Sequence, residues 1–111
     1  MRTPLIVMVL ALAVQSTPSP ADIIGWCLPG DGCMGPEPLT PKGFNTCEER
    51  CEMKNPTAVR GMNATLFDVE CRGDSSSFDY RLLFVEFTDF DGRQRALVIG
   101  RYGPEPLEKC R

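Results

Sequence analysis

The chain has 111 residues, with 12 Lys and Arg, 15 Asp and Glu, no histidine and a formal net charge of −3. A mildly acidic chain with its basic residues scattered suits neither nucleic acid nor an anionic membrane surface. Without imidazole there is no Ser–His or Cys–His nucleophile pair and no histidine general base, which argues against an enzyme.

The chain begins "MRTPLIVMVLALAVQSTPSPA": Arg2, an unbroken apolar run from Leu5 to Val14, then small and polar residues. The run is too short to span a bilayer, and the pattern predicts a secretory signal peptide over 1–21. Cleavage after Ala21 is preferred, with Ser16 as the alternative. Residues 22–111 then form one secreted, soluble domain of 11 basic and 15 acidic residues, net charge −4. All six cysteines (Cys27, Cys33, Cys47, Cys51, Cys71 and Cys110) follow the leader. An even count in a short exported chain predicts three disulfides, with fifteen pairings open. Zinc is the competing reading, but no CxxC pair and no histidine are present, and the secretory route is oxidising. No cofactor or metal is expected. A domain this short buries little apolar surface, and disulfides typically add about 2–4 kcal/mol each.

From Asp22 to Phe44 the chain is rich in Gly and Pro, "GWCLPGDGCMGPEPLTPKGF", which predicts loops stapled by Cys27 and Cys33 with Trp26 as apolar anchor. "FNTCEERCEMKNP" reads as a short helix: Asn45 is placed as N-cap with Glu48 three residues on, and Asn55-Pro56 stops it. On that reading Cys47 and Cys51 share a face and bond to two different partners. Asn63-Ala64-Thr65 is a glycosylation sequon, so Asn63 is expected to carry carbohydrate just before the first strand.

"NATLFDVEC" alternates, with Leu66, Asp68 and Glu70 on one side and Phe67, Val69 and Cys71 on the other, which is strand periodicity. Two further β-rich runs meet around Asp91-Gly92, a hairpin signal. Leu82 to Phe87 is apolar on both faces except for Glu86, and is expected to be the central strand. "GPEPL" occurs at Gly35 to Leu39 and again at Gly103 to Leu107, and two prolines in each copy predict stiff surface arms. The expected fold is small, disulfide-rich and mainly β: a three-stranded antiparallel sheet, one short helix and Gly/Pro-rich N-terminal loops.

A small stapled domain without catalytic groups works by presenting surface. Arg72-Gly73-Asp74, next to Cys71, is a candidate integrin-binding site: recognition needs guanidinium and carboxylate splayed apart, and a neighbouring disulfide limits the entropy lost on docking. It lies on an expected eight-residue connection from Arg72 to Asp79. Serine protease inhibition is a further alternative, with Arg72 or Arg60 as the basic residue of an inhibitory loop. The cysteine spacings of 5, 13, 3, 19 and 38 residues do not match the Kunitz pattern.

Leader, Gly/Pro-rich cysteine loops, C-x3-C element, sequon and terminal cysteine together resemble the small cysteine-rich salivary proteins of ticks. That group includes chemokine-binding evasins and inhibitors of complement and coagulation. The spacing from Cys33 to Cys71 is similar to the start of the evasin pattern, from which the chain departs afterwards by lacking further closely spaced cysteines. The resemblance implies a monomer that binds and neutralises an extracellular host protein, such as a complement component, a chemokine or a coagulation factor. It assigns no residue roles.

Overall fold

The structure, a computed structural model, describes residues 20–30 and 32–111. The leader expected over 1–21 lies outside them apart from its last two residues, which open a 3-10 turn over Pro20–Ile23. Nine strands follow: β1 (Trp26–Leu28), β2 (Glu37–Pro38), β3 (Gly43–Asn45), β4 (Glu49–Ala58), β5 (Ala64–Gly73), β6 (Ser77–Thr88), β7 (Gln94–Gly100), β8 (Gly103–Pro106) and β9 (Glu108–Lys109). The large sheet is an antiparallel meander, β3-β4-β5-β6-β7-β8, and the small sheet has the order β2-β1-β9. The mainly β expectation holds. The expected three strands are β5, β6 and β7 at the middle of a six-stranded sheet.

Side-chain alternation builds one core between the sheets. On β5, Phe67, Val69 and Cys71 are buried, and they sit opposite Leu82, Tyr80 and Phe78 of β6. Phe84 pairs with Thr65 on one side and Val98 on the other. The core cluster joins this face to Ile23, Trp26, Leu28 and Leu39 from the small sheet and its approach. Trp26 is packed there, as expected of an anchor. Each large side chain taken fully out of water contributes about 1.5–3 kcal/mol.

The helix expected from Asn45 does not form: Glu49–Ala58 is a ten-residue strand. Cys51 faces Cys71 directly across the β4–β5 ladder and bonds to it, with Cα atoms 4.0 Å apart. Cys51 and Met53 are buried while Arg50 and Glu52 are exposed, a period of two. Opposite charges also meet across the ladder, with Lys54 Nζ 2.8 Å from Glu70 and Lys54 in register with Asp68. The local helix-start chemistry survives as a turn, one residue later. Thr46 Oγ1 accepts from the Glu49 N–H at 3.0 Å, and its hydroxyl donates to the Glu49 carboxylate at 2.5 Å. Asn55-Pro56, read as a helix stop, instead makes a bulge where the β4–β5 register shifts, with Asn55 at φ 52°.

The disulfides are Cys27–Cys110, Cys33–Cys47 and Cys51–Cys71. Cys47 and Cys51 thus take different partners, as expected, though not from a helix face. Both "GPEPL" copies are edge strands rather than free arms. The first forms β2 and the second β8, and each ends in a leucine turned toward the core. Leu39 N–H donates to the Trp26 carbonyl at 3.0 Å and Leu107 N–H to that of Ala96 at 2.9 Å. Strand alternation therefore puts Pro38 in one copy, and Pro104 and Pro106 in the other, where the backbone faces outward and no donor is needed.

Candidate protein-binding groove

β6 alternates from Ser77 to Phe84, but the small sheet covers only part of its inner face. Leu82 and Phe84 are buried, whereas Phe78 and Tyr80, on the same face nearer Ser77, are half-buried. The two rings stack with centroids 6.0 Å apart. They floor a groove of about 630 Å³. Leu28, Pro29 and Met34 of the N-terminal arm, the Thr46–Glu49 turn and the β7–β8 tip also line it.

That tip is a two-residue turn, Arg101 and Tyr102, between paired Gly100 and Gly103. Gly103 has φ 97°, the left-handed region that glycine tolerates. A Cβ on Gly100 would lie 3.2 Å from the Tyr80 ring, so the ring rests against bare backbone. The Arg101 guanidinium stands 4.4 Å above the Phe78 ring and 5.7 Å from that of Tyr102. Tyr102 is 93 % exposed.

The charged lining is Glu48, Glu49 and Glu105 against Arg101 alone. Burial pushes the Tyr80 hydroxyl above its ordinary pKa, and Glu105 and Glu49 push it further the same way. The groove thus offers an aromatic floor, a phenolic hydroxyl and an acidic rim, which suit an apolar side chain accompanied by a cation. A second concavity of about 590 Å³, beside β2 and β3, is different: Glu37, Glu52 and Glu70 are matched there by Lys42, Arg50 and Arg72.

Arg72-Gly73-Asp74 does not occupy a long loop. β5 runs through Gly73 and β6 starts at Ser77, so the connection is three residues, closed by Gly73 N–H donating to the Ser76 carbonyl at 2.8 Å. Arg72 is a ladder residue opposite Arg50 and Ser77, with its guanidinium 3.8 Å from Glu70. Gly73 lacks a positive φ, yet a Cβ there would meet the Glu48 carbonyl at 2.6 Å. The glycine is required by close approach, not by turn conformation. Asn63 is exposed immediately before β5, where carbohydrate was expected, and its carbonyl accepts from Glu86 N–H. Arg60 and Gly61 are exposed in the β4–β5 turn. The structure does not bring Arg60, Asn63 and Arg72 into one site.

Phe78, Tyr80, Arg101, Tyr102 and Glu105 were not singled out from the sequence. The alternation in "SFDYRLLF" marks the first two as inward-facing; how far the covering sheet reaches is a long-range fact. Among the described residues, no group of three or more Cys, Asp or Glu side chains is arranged to hold a metal ion, and no helix is long and apolar enough to cross a membrane. Comparison of the chain with protein-family models, curated proteins and solved structures finds no match.

Proposed function

We propose that this protein is a secreted, monomeric, non-enzymatic binder that neutralises an extracellular protein of another organism by seating part of it in the groove. The observation that carries the reading is the open half of the large sheet: stacked aromatics beside an exposed Tyr–Arg tip, with excess negative charge. Aromatic anchors in a desolvated pocket are where binding energy concentrates. Three disulfides suit an oxidising, extracellular setting and keep the groove walls in place. The resemblance to tick salivary proteins points to complement, chemokine signalling or coagulation as the target system. Integrin antagonism through Arg72-Gly73-Asp74 and protease inhibition through Arg72 or Arg60 are the alternative readings; Arg72 stands at a ladder position rather than at a loop tip, whereas Arg60 is exposed in the β4–β5 turn.

The test is capture from plasma by the secreted protein, followed by affinity measurement on purified complement components, chemokines and coagulation proteases. Tyr102→Ala is expected to weaken binding of the captured target by tenfold or more, the loss of one interface anchor. Undiminished binding in both Tyr102→Ala and Phe78→Ala would reject the groove as the capture site.

A further inference from the structure

Most borders of the two sheets end in a device that stops further pairing. β8 turns Pro104 and Pro106 outward, β2 does the same with Pro38, and β4 is bent by the bulge at Asn55-Pro56. The small sheet's other border, β9, is only two charged residues long. The outer border of the large sheet, β3, is three residues long, and its Asn45 N–H is taken by the Glu37 carboxylate. One longer border has no such device. β7 pairs with β6 only from Leu83 to Thr88, because the chain turns back at Arg101. Along Ser77 to Leu82, β5 pairs on one side and, among the described strands, none pairs on the other.

The phase of that border follows from a hydrogen bond higher up. Glu86 N–H donates to the Asn63 carbonyl on the β5 side, so even-numbered residues of β6 direct their backbone to β5. Ser77, Asp79 and Arg81 therefore present N–H and C=O on the open side, without a proline among them. This open edge lies beside the groove floor made by Phe78 and Tyr80.

We propose that the open edge of β6 takes up an extended segment of the captured protein as an added strand, with alternate side chains of that segment entering the groove. The inference rests on the groove being the capture site and says how it is used. Asp79 and Arg81 exchange backbone hydrogen bonds with the incoming strand; the groove selects its side chains. Six residues of edge, at about 3.3 Å each, admit a segment of five to seven residues. Charge complementarity fixes its chemistry: among the alternate side chains that share the groove face, apolar residues lie against the Phe78 and Tyr80 floor, and a Lys or Arg two positions along meets Glu49 and Glu105. The Arg101 guanidinium over Phe78 already shows a cation resting on that floor.

The probe is the acetylated, amidated heptapeptide Thr-Val-Thr-Lys-Thr-Val-Thr, titrated into the secreted wild-type protein with amide hydrogen exchange as readout. The expected result is saturable binding with exchange at Asp79 and Arg81 slowed at least tenfold, with loss of both effects when the peptide is N-methylated on the alternate residues whose amides face β6 and retention when it is N-methylated in the other phase. Asp79→Pro removes an outward N–H and leaves the β5 ladder untouched, as the protein's own edges do. It is expected to abolish peptide binding, while Asp79→Ala retains it. Absence of binding at millimolar peptide, binding without protection at Asp79 and Arg81, or equal binding by the two N-methylated peptides would overturn the proposal, and these tests use unmodified protein. If the plasma target is lost with Tyr102→Ala but held fully by a folded Asp79→Pro, strand addition falls and the groove reading stands. If neither these substitutions nor Phe78→Ala affects capture, the groove reading falls.

Discussion

One face of one strand serves two ends in this molecule. At its upper half Phe84 is 1 % exposed, closed in by the small sheet; at its lower half Phe78 and Tyr80 lie in the same row but stay half-open to solvent. The residue types hardly differ. What differs is the cover: β1 is three residues long and its partners two each, enough to roof half of the large sheet. A binding surface can thus be made by stopping a core short, without any change in the pattern that makes the core.

The sharpest way to break that comparison is to truncate each half in turn. Phe84→Ala is expected to cost about 3–5 kcal/mol, a large share of the roughly 5–15 kcal/mol a domain possesses. Phe78→Ala is expected to lower the melting temperature far less and to reduce target binding instead. Equal losses of melting temperature would show the two halves to be one core.

The next effect concerns the cover itself. Replacing Cys27 and Cys110 together by Ala is expected to cost about 2–5 kcal/mol, with β1 and β9 loosening before the large sheet. Trp26, which is buried in β1, reports this through its fluorescence. Cooperative loss of Trp26 signal and large-sheet circular dichroism at one temperature would contradict a separable roof.

Gly73→Ala is expected to be destabilising by about 1–3 kcal/mol through the clash with the Glu48 carbonyl, read as a lower denaturation midpoint. The neighbouring Asp74→Glu, at an exposed turn, is expected to change neither stability nor capture. Inhibition of integrin-dependent platelet aggregation by wild type, absent in Asp74→Glu, would move the site from the groove to the turn.

The smallest effect is electrostatic, at the β6–β7 turn far from the groove. Asp89 is held below the usual carboxylate pKa by the side-chain bond from Arg95, at 2.7 Å, and by the Arg93 and Asp91 backbone N–H groups. A lowered folded pKa means stability present above the unfolded value, about 3.9, and lost as pH falls through the folded one. The melting temperature should therefore decline below about pH 4, and by less in Asp89→Asn. An identical decline in the variant would remove Asp89 as a contributor.

Where local and long-range preferences agreed, the fold was legible. Phe67, Val69 and Cys71 alternate in a β-rich run, and the structure buries those three. Within Leu82 to Phe87, Leu83 to Val85 pair with strands on both sides, the position expected of a central strand. The stretch after Asn45 misled because its capping signal is genuine, as the Thr46–Glu49 turn shows. A disulfide to Cys71 and a charged ladder then outweighed a weak helical preference. The prolines of "GPEPL" were legible as stiff and donor-poor. Their role as edge strands depends on the inward hydrogen bonds of Leu39 and Leu107, which no local pattern encodes. The groove was the least legible feature, for Phe78 and Tyr80 read identically to core residues.

The Cys27–Cys110 bond joins positions 83 residues apart and encloses both other disulfides. Covalently, almost the whole domain is a ring. Exposed turns are where proteases cut, and a single cut in the Asp89–Arg93 turn opens the ring without releasing a piece. The two segments stay linked, so re-pairing of β6 with β7 is an intramolecular event at high effective concentration. Such a molecule survives its first nick as one particle, and reduction of Cys27–Cys110 or a second cut, for instance between Cys71 and Cys110, is needed to release a piece.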